Sequence, residues 1–300
     1  MERPSSRATG MLLTLGAFLL WGMAPPYWHL LSSVPALQIP AHRIVWSCLF
    51  LAVLITFRRG WGAVRTALAD RRVVLTLIAT AILISVNWTI YIVGVLQNRL
   101  VEVSMGYFIN PLVSVLLGVI VLRERLGVIQ WVSVGLALAG VLFQAVAEHV
   151  IPWTPLGLAF SFGLYGLLRK TVKVDSPTGT FLETLFLLPL TLAFLGVEAA
   201  RGVGAFGTAS LSVNVFLVLA GVVTGVPLLC FASGARLIPL SMVGFLQYLT
   251  PTLNLLFGVI AYGEAFTRND GIGFGLIWCA IVLYIGSTTL VGRRRVALPS

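Results

Sequence analysis

The stretch PLVSVLLGVIVLRERL at residues 111–126 is repeated 140 residues later as PTLNLLFGVIAYGEAF at residues 251–266. A proline opens both copies, a Gly-Val-Ile triplet lies in the middle and a glutamate follows near the end, all without a gap. Just upstream, RLVEVSM at 99–105 matches RLIPLSM at 236–242 at an offset of 137. These matches predict an internal duplication of the chain.

The composition decides the class of protein in which this duplication occurs. Of the 300 residues, 58% are hydrophobic and only 10% are charged, with a mean hydropathy of +0.99. An ordinary globular chain is about one quarter charged, so a water-soluble enzyme, a disordered chain, a collagen and a coiled coil are excluded. We predict an all-α polytopic membrane protein with ten transmembrane helices. The predicted helices cover residues 9–31, 37–57, 73–96, 102–122, 128–146, 153–169, 178–198, 212–234, 239–262 and 272–291.

The distribution of positive charge predicts the orientation of these helices. The chain carries 20 Lys and Arg against 10 Asp and Glu, and the basic residues lie mostly in short segments between apolar runs. That location indicates membrane orientation rather than nucleic-acid binding. With the N-terminus in the cytoplasm, 16 basic residues fall inside and three outside, which predicts that both termini are cytoplasmic. The first helix is expected to be retained and not cleaved as a signal peptide.

The duplication also predicts how the two halves are arranged. Because the fourth and ninth helices correspond, each half contains five helices, and an odd number gives the halves opposite orientations in the bilayer. We predict two inverted five-helix repeats, residues 1–147 and 148–300, around a central cavity. Such halves can expose a site at their interface to either side in turn, which predicts transport. The alternative is that duplication only built a stable bundle.

Several longer strings carry a family resemblance. They include WGMAPPYW (21–28), NWTIYIVGVLQ (87–97), SMGYFINPLVSVLLG (104–118), FSFGLYGLLRK (160–170) and PLSMVGFLQYLTPTLNLL (239–256). The chain resembles the RarD branch of EamA-type transporters, within the drug/metabolite transporter superfamily. The resemblance extends over nearly the whole chain. It implies ten helices in two inverted repeats and an export function in a bacterial inner membrane, with amino acids, related metabolites and some drugs as substrates.

Polar residues within the predicted helices indicate where a solute would bind. Polar groups are costly in lipid and therefore face the bundle interior. Asn87 and Tyr91 share one helix face, Tyr107 and Asn110 share another, and polar positions recur at the repeat offsets. For these two pairs cavity lining is predicted, with interhelical hydrogen bonding as the alternative, whereas packing or an interfacial belt is the first interpretation for each aromatic residue taken alone. The predicted lining residues are Trp21, Asn87, Trp88, Tyr91, Tyr107, Asn110, Phe162, Tyr165, Thr224, Gln247, Tyr248 and Thr250.

Three prolines within apolar runs predict breaks in the helices. Pro111, Pro227 and Pro251 each remove a backbone hydrogen bond and free a carbonyl one turn upstream. Inside a membrane such carbonyls need a polar neighbour or water. We expect them to contact the ammonium group of a zwitterion, while Asn, Gln and Tyr side chains contact its carboxylate.

Two ionisable residues, Arg43 and Glu183, lie deeper in their predicted helices than the membrane interface, and they occupy equivalent repeat positions. Inversion places them near opposite faces, about 14 Å apart in depth within a core of roughly 30 Å, so no direct ion pair is expected. We predict that each anchors a gate on its own side through carbonyls or hydroxyls; a purely structural clamp is the alternative. Glu183 is also the first candidate for proton coupling, although uncoupled passage fits equally well. His42 is expected to be packed and hydrogen-bonded.

Glu124 and Glu264 end equivalent helices. Glu124 lies between two arginines and is expected to be a solvated surface charge, with capping of the next helix as the alternative.

No pattern in the sequence indicates catalysis. HExxH, GxSxG and phosphate-binding loops are absent, and His29, His42 and His149 do not share metal-ligand spacing. Cys48, Cys230 and Cys279 lie in apolar runs and are expected to act as small hydrophobic residues. We therefore predict no enzyme activity, cofactor or metal, and no nucleic-acid partner.

The sequence leaves a secondary exporter of small amphipathic solutes, with amino acids as the first candidates, as the leading function. Its expected partners are a small-molecule solute and the lipid bilayer, with a monomer as the default assembly. A multidrug exporter of the chloramphenicol type and a non-transporting membrane enzyme or scaffold are the alternatives. A nucleotide-sugar carrier needs several cations within its helices, and Arg43 is the only one predicted there.

Overall fold

A computed structural model of the chain describes residues 4–96, 100–147, 153–261 and 267–296. Within these ranges it contains thirteen α-helices and no β-strand. The helices are α1 (Pro4–Gly22), α2 (Pro25–His29), α3 (Gln38–Phe57), α4 (Trp61–Ala69), α5 (Arg71–Leu96), α6 (Leu100–Ile120), α7 (Val128–Ala147), α8 (Trp153–Thr171), α9 (Ser176–Ala200), α10 (Leu211–Gly234), α11 (Leu240–Gln247), α12 (Leu249–Ala261) and α13 (Arg268–Val296).

The fold is that of a polytopic membrane protein. Among the described residues, five segments are long and apolar enough to cross a membrane: Ser6–His29, Gln38–Phe57, Arg71–Tyr91, Ser176–Ala200 and Leu211–Gly234. Three shorter apolar helices accompany them: Tyr107–Ile120, Val128–Phe143 and Gly271–Ser287. A span needs about 20 apolar residues, and the mean hydropathy of the five longer segments lies between 1.4 and 2.5.

Each predicted apolar run coincides with a helix or a pair of helices, and the prolines explain only part of the interruptions. The first run is divided between α1 and α2 just before Pro25, and the ninth is divided between α11 and α12 at Tyr248. The ring of Pro251 excludes a hydrogen bond to the carbonyl of Gln247, the last residue of α11. Pro111 and Pro227 differ from the prediction, because α6 and α10 continue through them. One missing bond is tolerated there, since the bonds of the flanking turns hold each helix together.

One helix was not expected from the sequence. Residues 58–72 were predicted to be a connection, but they contain α4, a nine-residue helix with Val64 and Ala67 buried. The Trp61 ring packs edge-to-face against Phe181 of α9 at 5.6 Å between ring centroids. The arginines in this segment lower its mean hydropathy. That mean averages over both faces of a helix, so it does not show that one face of this short helix is apolar.

The helices of the two halves are interleaved. The most extensive contacts join a helix from residues 4–147 to one from residues 153–296. The pairs concerned are α6 with α8, α7 with α13, α3 with α10, α6 with α11, α3 with α9, α1 with α10 and α5 with α8. The two halves of the sequence therefore do not form two separately packed bundles.

Glycines allow close approach of the backbones at some of these helix crossings. A Cβ atom at Gly221 of α10 would overlap the backbone carbonyl of Trp46 in α3. A Cβ atom at Gly244 of α11 would approach the carbonyl oxygen of Pro111 in α6 to 2.5 Å. Membrane helices commonly associate through small residues, because these let two backbones approach each other.

We expect Gly221→Ala to lower the free energy of unfolding by about 1–3 kcal/mol, because α3 and α10 must move apart. Gly135 of α7 is the matched control, since nothing lies within 4 Å of the Cβ that Gly135→Ala would add. Thermal unfolding of both purified variants in detergent measures the difference. Equal melting temperatures for the two variants would contradict the assigned crossing.

Candidate solute-binding cavity

A cavity of about 140 Å³ lies between the helices, displaced toward one end of the bundle. Its wall includes residues from the C-terminal parts of α1 and α5 and from the N-terminal parts of α3 and α6. The cavity therefore lies nearer the bundle end opposite the start of α1. The wall consists of Phe18, Trp21, Ala24, Pro25, Trp28, Arg43, Ile84, Asn87, Trp88, Tyr91, Tyr107, Asn110, Phe162, Leu228, Gln247 and Thr250.

Most residues predicted to line a cavity are brought together on this wall. Nine of the twelve are present: Trp21, Asn87, Trp88, Tyr91, Tyr107, Asn110, Phe162, Gln247 and Thr250. The wall residues that the prediction missed are mainly apolar, such as Phe18 and Leu228, which carry no signal that distinguishes them from packing residues.

The other three predicted residues are not on the wall. The Tyr165 side chain is buried, and its hydroxyl donates to Glu183 Oε2 at 3.4 Å. Thr224 is buried behind the wall, where its hydroxyl accepts a hydrogen bond from Arg43 Nε. Tyr248 is buried at the break between α11 and α12, with its ring 6.3 Å from that of Phe245. Packing and local partners occupy these side chains and keep them from the cavity.

Two asparagines on the wall also tie helices together. Asn87 of α5 donates from Nδ2 to the Leu158 carbonyl at 2.9 Å and to Ser161 Oγ at 3.0 Å. With its amide nitrogen toward α8, Asn110 of α6 donates to the Ala159 carbonyl at 2.9 Å and accepts from Gln247 Nε2 at 3.3 Å. The two alternatives considered for these residues, cavity lining and interhelical hydrogen bonding, therefore occur together.

Aromatic rings form much of the remaining wall. The Trp21 ring lies edge-to-face with Phe162 at 5.9 Å and tilted against Phe18 at 5.7 Å. Tyr91 and Tyr107 meet edge-to-face at 6.1 Å. Such rings offer an apolar surface to the body of a solute and their faces to a cation.

Arg43 is on the cavity wall, a position that the sequence did not predict. Its Cζ atom lies 4.6 Å from the ring centroid of Trp28 and 4.5 Å from that of Trp88. Its Nε donates to Thr224 Oγ1 at 2.8 Å, which is a hydroxyl anchor of the kind expected for a gate. The residue is therefore held by contacts from three other helices, α2, α5 and α10.

A buried ion pair lies near the opposite end of the bundle. Arg169, in the last turn of α8, places Nε 3.5 Å from Oε1 of Glu183 in α9, with residue exposures of only 1% and 3%. Arg169 Nη2 also donates to Thr180 Oγ1 at 3.2 Å. The charge pattern places Arg169 at the cytoplasmic end of the predicted helix 153–169, and its burial was not predicted. The four-residue spacing of Tyr165 and Arg169 on α8 was the signal that could have shown a shared face.

Glu124 joins the segment after α6 to the start of α11. Its carboxylate accepts from the Leu240 backbone N–H at 2.6 Å, the Ser241 backbone N–H at 3.0 Å and Ser241 Oγ at 2.7 Å. The expected solvated surface charge is therefore wrong. A capping role is present, but the capped helix belongs to the other half and is not the next one along the chain. The equivalent Glu264 lies outside the described residues.

Further polar contacts lie at the same end of the bundle. Lys170 Nζ donates to the carbonyls of Ala235, at 3.0 Å, and Ile238. Arg236 donates to the carbonyl of Val174. Gly10 near the start of α1 packs against Ile238, which places the N-terminal part of α1 at this end. We call the end defined by Glu124, Lys170, Arg236 and the Arg169–Glu183 pair the closed end.

His42 is packed as expected but differs in its hydrogen bonding. The residue is buried, and its ring lies 5.5 Å from the Phe206 ring. Its Nδ1 has no hydrogen-bond partner among the described residues. His149 lies outside those residues, and the ranges that the structure describes contain no group of three or more His, Cys, Asp or Glu able to hold a metal.

Apolar helices that enclose a polar and aromatic cavity, with a closed end beyond it, are the arrangement of a polytopic membrane transporter. Comparisons with known proteins agree. The model of the EamA-like transporter family matches the chain twice, over residues 8–145 and 152–286. An uncharacterized transporter of Vibrio cholerae is 45% identical over 275 residues, covering 92% of this chain and 91% of that protein.

Protein RarD of Escherichia coli is 41% identical to this chain over 285 residues, covering 95% of this chain and 96% of that protein. The chain therefore belongs to the EamA-like transporter family, in its RarD branch, and is a multi-pass protein of the inner membrane. A protein crystal structure that is 19% identical aligns with a TM-score of 0.70, covering 96% of this chain and 99% of that one. That likeness shows the shared fold alone.

Proposed function

We propose that the protein exports small amphipathic solutes, with amino acids as the first candidates, by alternating access. The observation that carries the proposal is the cavity, where amide groups, a cation and aromatic rings meet between helices while the closed end is held by polar contacts. A solute with both charged and apolar parts fits a wall of this mixed chemistry.

We also propose ten membrane-spanning segments in two inverted repeats, residues 1–147 and 148–300. The family model supports this, because it matches each half separately. The helix contacts support it as well. When each helix is replaced by its equivalent in the other repeat, a pair of helices in contact becomes another pair in contact. Contacts of α1 with α10 correspond to those of α8 with α5, and contacts of α6 with α8 correspond to those of α12 with α1. Three further pairs join equivalent helices: α3 with α9, α6 with α11 and α7 with α13.

The moving parts in this proposal are not the two halves of the sequence. One group consists of α8 packed on α5 and α6, and its repeat equivalent consists of α1 packed on α10 and α12. Each group contains helices from both halves, and the cavity lies between the groups. Relative movement of these groups would open the closed end and close the cavity end.

We propose that the closed end faces the cytoplasm, with both termini on that side. The basic segments at residues 58–72 and 169–173 support this orientation. Glu183 is then a gate residue at the cytoplasmic end, held by Arg169, and Arg43 lies toward the outside. Because Arg169 supplies a counter-ion, the gating role of Glu183 does not require proton coupling.

Counterflow in proteoliposomes tests the proposed function. We expect purified protein to exchange a radiolabelled mixture of the twenty amino acids, and Asn87→Ala to slow exchange about tenfold. The substitution leaves the Leu158 carbonyl without its amide donor and loosens the cavity wall. Tyr107→Ala, on the same wall, should have an effect of similar size.

Gln130→Ala provides the control, because the side-chain amide oxygen of Gln130 accepts from the Gly127 backbone N–H in an exposed segment and is not part of the cavity wall. Its exchange rate should equal that of the unmodified protein. Exchange of chloramphenicol without any amino acid would favour the multidrug alternative. Absence of exchange for every solute, amino acids and chloramphenicol alike, would contradict the transport proposal.

A further inference from the structure

The wall of the cavity carries an uncompensated positive charge. Arg43 lies on this wall, and no Asp or Glu is found there among the residues whose side chains the structure describes, a set that leaves out 92–106. A charge at membrane depth is costly and almost always has a partner of opposite sign or water. The Arg43 guanidinium therefore has no acidic counter-ion among the side chains that the structure describes.

The contacts of the guanidinium leave one edge available. Thr224 accepts the hydrogen bond from Nε at 2.8 Å, while the Trp28 and Trp88 rings lie 4.6 and 4.5 Å from Cζ. Neither Nη amine donates to an acceptor among the side chains and backbone groups that the structure describes. The group is thus held in place by its Nε and its aromatic contacts, and the two amines that form the guanidinium fork remain for a ligand.

The equivalent residue in the other repeat has a different electrostatic environment. Glu183 lies 140 positions after Arg43 and has its own counter-ion, with Arg169 Nε 3.5 Å away. Among the side chains that the structure describes, one of the two equivalent charges has a counter-ion and the other faces the cavity without one. A merely structural charge would be expected to have a protein partner in both places.

We propose that Arg43 binds the carboxylate of the transported solute, and that the cavity selects solutes with a carboxylate and an apolar or aromatic body. The inference rests on the proposed transport function and adds the substrate class. A planar guanidinium with two free amines matches a carboxylate through paired hydrogen bonds. In this proposal Arg43, and not the Asn, Gln and Tyr side chains expected from the sequence, binds the carboxylate of the solute.

A second polar group on the wall suits the remainder of an amino acid. Gln247 lines the same cavity, and its Oε1 has no hydrogen-bond partner among the described residues. An amide oxygen accepts hydrogen bonds, so it can receive an ammonium group while Arg43 holds the carboxylate. The aromatic rings then contact the apolar body of the solute.

Equilibrium binding with two probes of matched shape tests the carboxylate claim. The probes are 3-phenylpropanoate and its neutral amide, 3-phenylpropanamide, titrated calorimetrically into the full chain in lipid nanodiscs. We expect the unmodified protein to bind the acid roughly ten- to a hundredfold more tightly than the amide. Arg43→Gln should abolish this preference, and Arg43→Lys should keep only part of it, because an ammonium lacks the planar fork.

The ratio between the two probes is measured within each variant, so a smaller folded fraction affects both affinities equally. A wild-type protein that does not prefer the acid, or an Arg43→Gln variant that still does, would overturn the inference. Binding requires no flux and therefore separates the two proposals. If the protein prefers the acid but shows no counterflow, the carboxylate site is supported and the proposed transport function is contradicted. If amino-acid counterflow of Arg43→Gln equals that of the unmodified protein, the transport function is supported and the carboxylate site at Arg43 is contradicted.

Discussion

Replacement of Arg169 by methionine is expected to lower the free energy of unfolding by about 3–5 kcal/mol. The substitution leaves the Glu183 carboxylate buried at 3% exposure without its counter-ion at 3.5 Å. It also removes the donor to Thr180 Oγ1. Denaturation of the purified variant in detergent measures the loss.

The double variant Arg169→Met/Glu183→Met separates the pair from its surroundings. It removes both charges, so it should recover most of the stability that the single variant loses. Arg201→Met is a matched control, because Arg201 also pairs with a glutamate, Glu198, but is 70% exposed at a distance of 3.7 Å. That change should cost less than about 1 kcal/mol. Equal losses for Arg169→Met and Arg201→Met would refute the buried ion pair.

Replacement of Glu124 by alanine is expected to open the closed end. The carboxylate accepts two backbone N–H groups and one hydroxyl from Leu240 and Ser241, and all three contacts join the two halves. Their loss removes stabilisation that exists only in the closed arrangement, so the population should shift toward the form open at this end. A shift of tenfold or more is expected, because charge-assisted hydrogen bonds contribute about 1.5–3 kcal/mol each.

A single reporter cysteine measures that shift. Thr14 is fully buried in α1 near the closed end, and its hydroxyl has no hydrogen-bond partner in the described ranges, so Thr14→Cys loses no hydrogen bond. In a chain whose native Cys48, Cys230 and Cys279 are replaced by alanine, Glu124→Ala should raise maleimide labelling of this cysteine about tenfold.

Asp70→Ala is the control for the loss of a capping carboxylate. Asp70 caps the start of α5 through Arg72 N–H at 2.8 Å and Val73 N–H at 3.3 Å, without joining the two halves. It should leave the labelling rate unchanged. If Glu124→Ala also leaves it unchanged, Glu124 does not hold the closed end together.

The positions of the apolar helices and most of the cavity wall could be predicted from the sequence. Length and hydropathy define each apolar run locally, and helical spacing places Asn87 with Tyr91 on one face without reference to the rest of the chain. The break at Pro251 has the same local origin, because proline acts on the carbonyl of Gln247 one turn upstream.

The charged residues were harder to place, because their surroundings depend on distant parts of the chain. The Glu124 carboxylate caps the backbone N–H groups of Leu240 and Ser241, which are 116 and 117 positions away in the chain. Arg43 is anchored by Thr224, which is 181 positions away. Arg169 is the last residue of its predicted helix, and hydropathy does not distinguish a buried charge there from one at the membrane surface. Only the folded structure shows that the Arg169 guanidinium pairs with the Glu183 carboxylate. Burial of a charge is decided by its partner, which composition does not reveal.

Reversible cross-linking of the closed end tests alternating access most directly. Glu124→Cys and Ser241→Cys, in the chain without its three native cysteines, are joined by a short linker that a reductant cleaves, and exchange of labelled amino acids is followed in proteoliposomes. We predict that exchange falls to background in the linked protein and returns after cleavage. Undiminished exchange through fully linked protein would show that the closed end does not open during transport and would contradict the proposed mechanism.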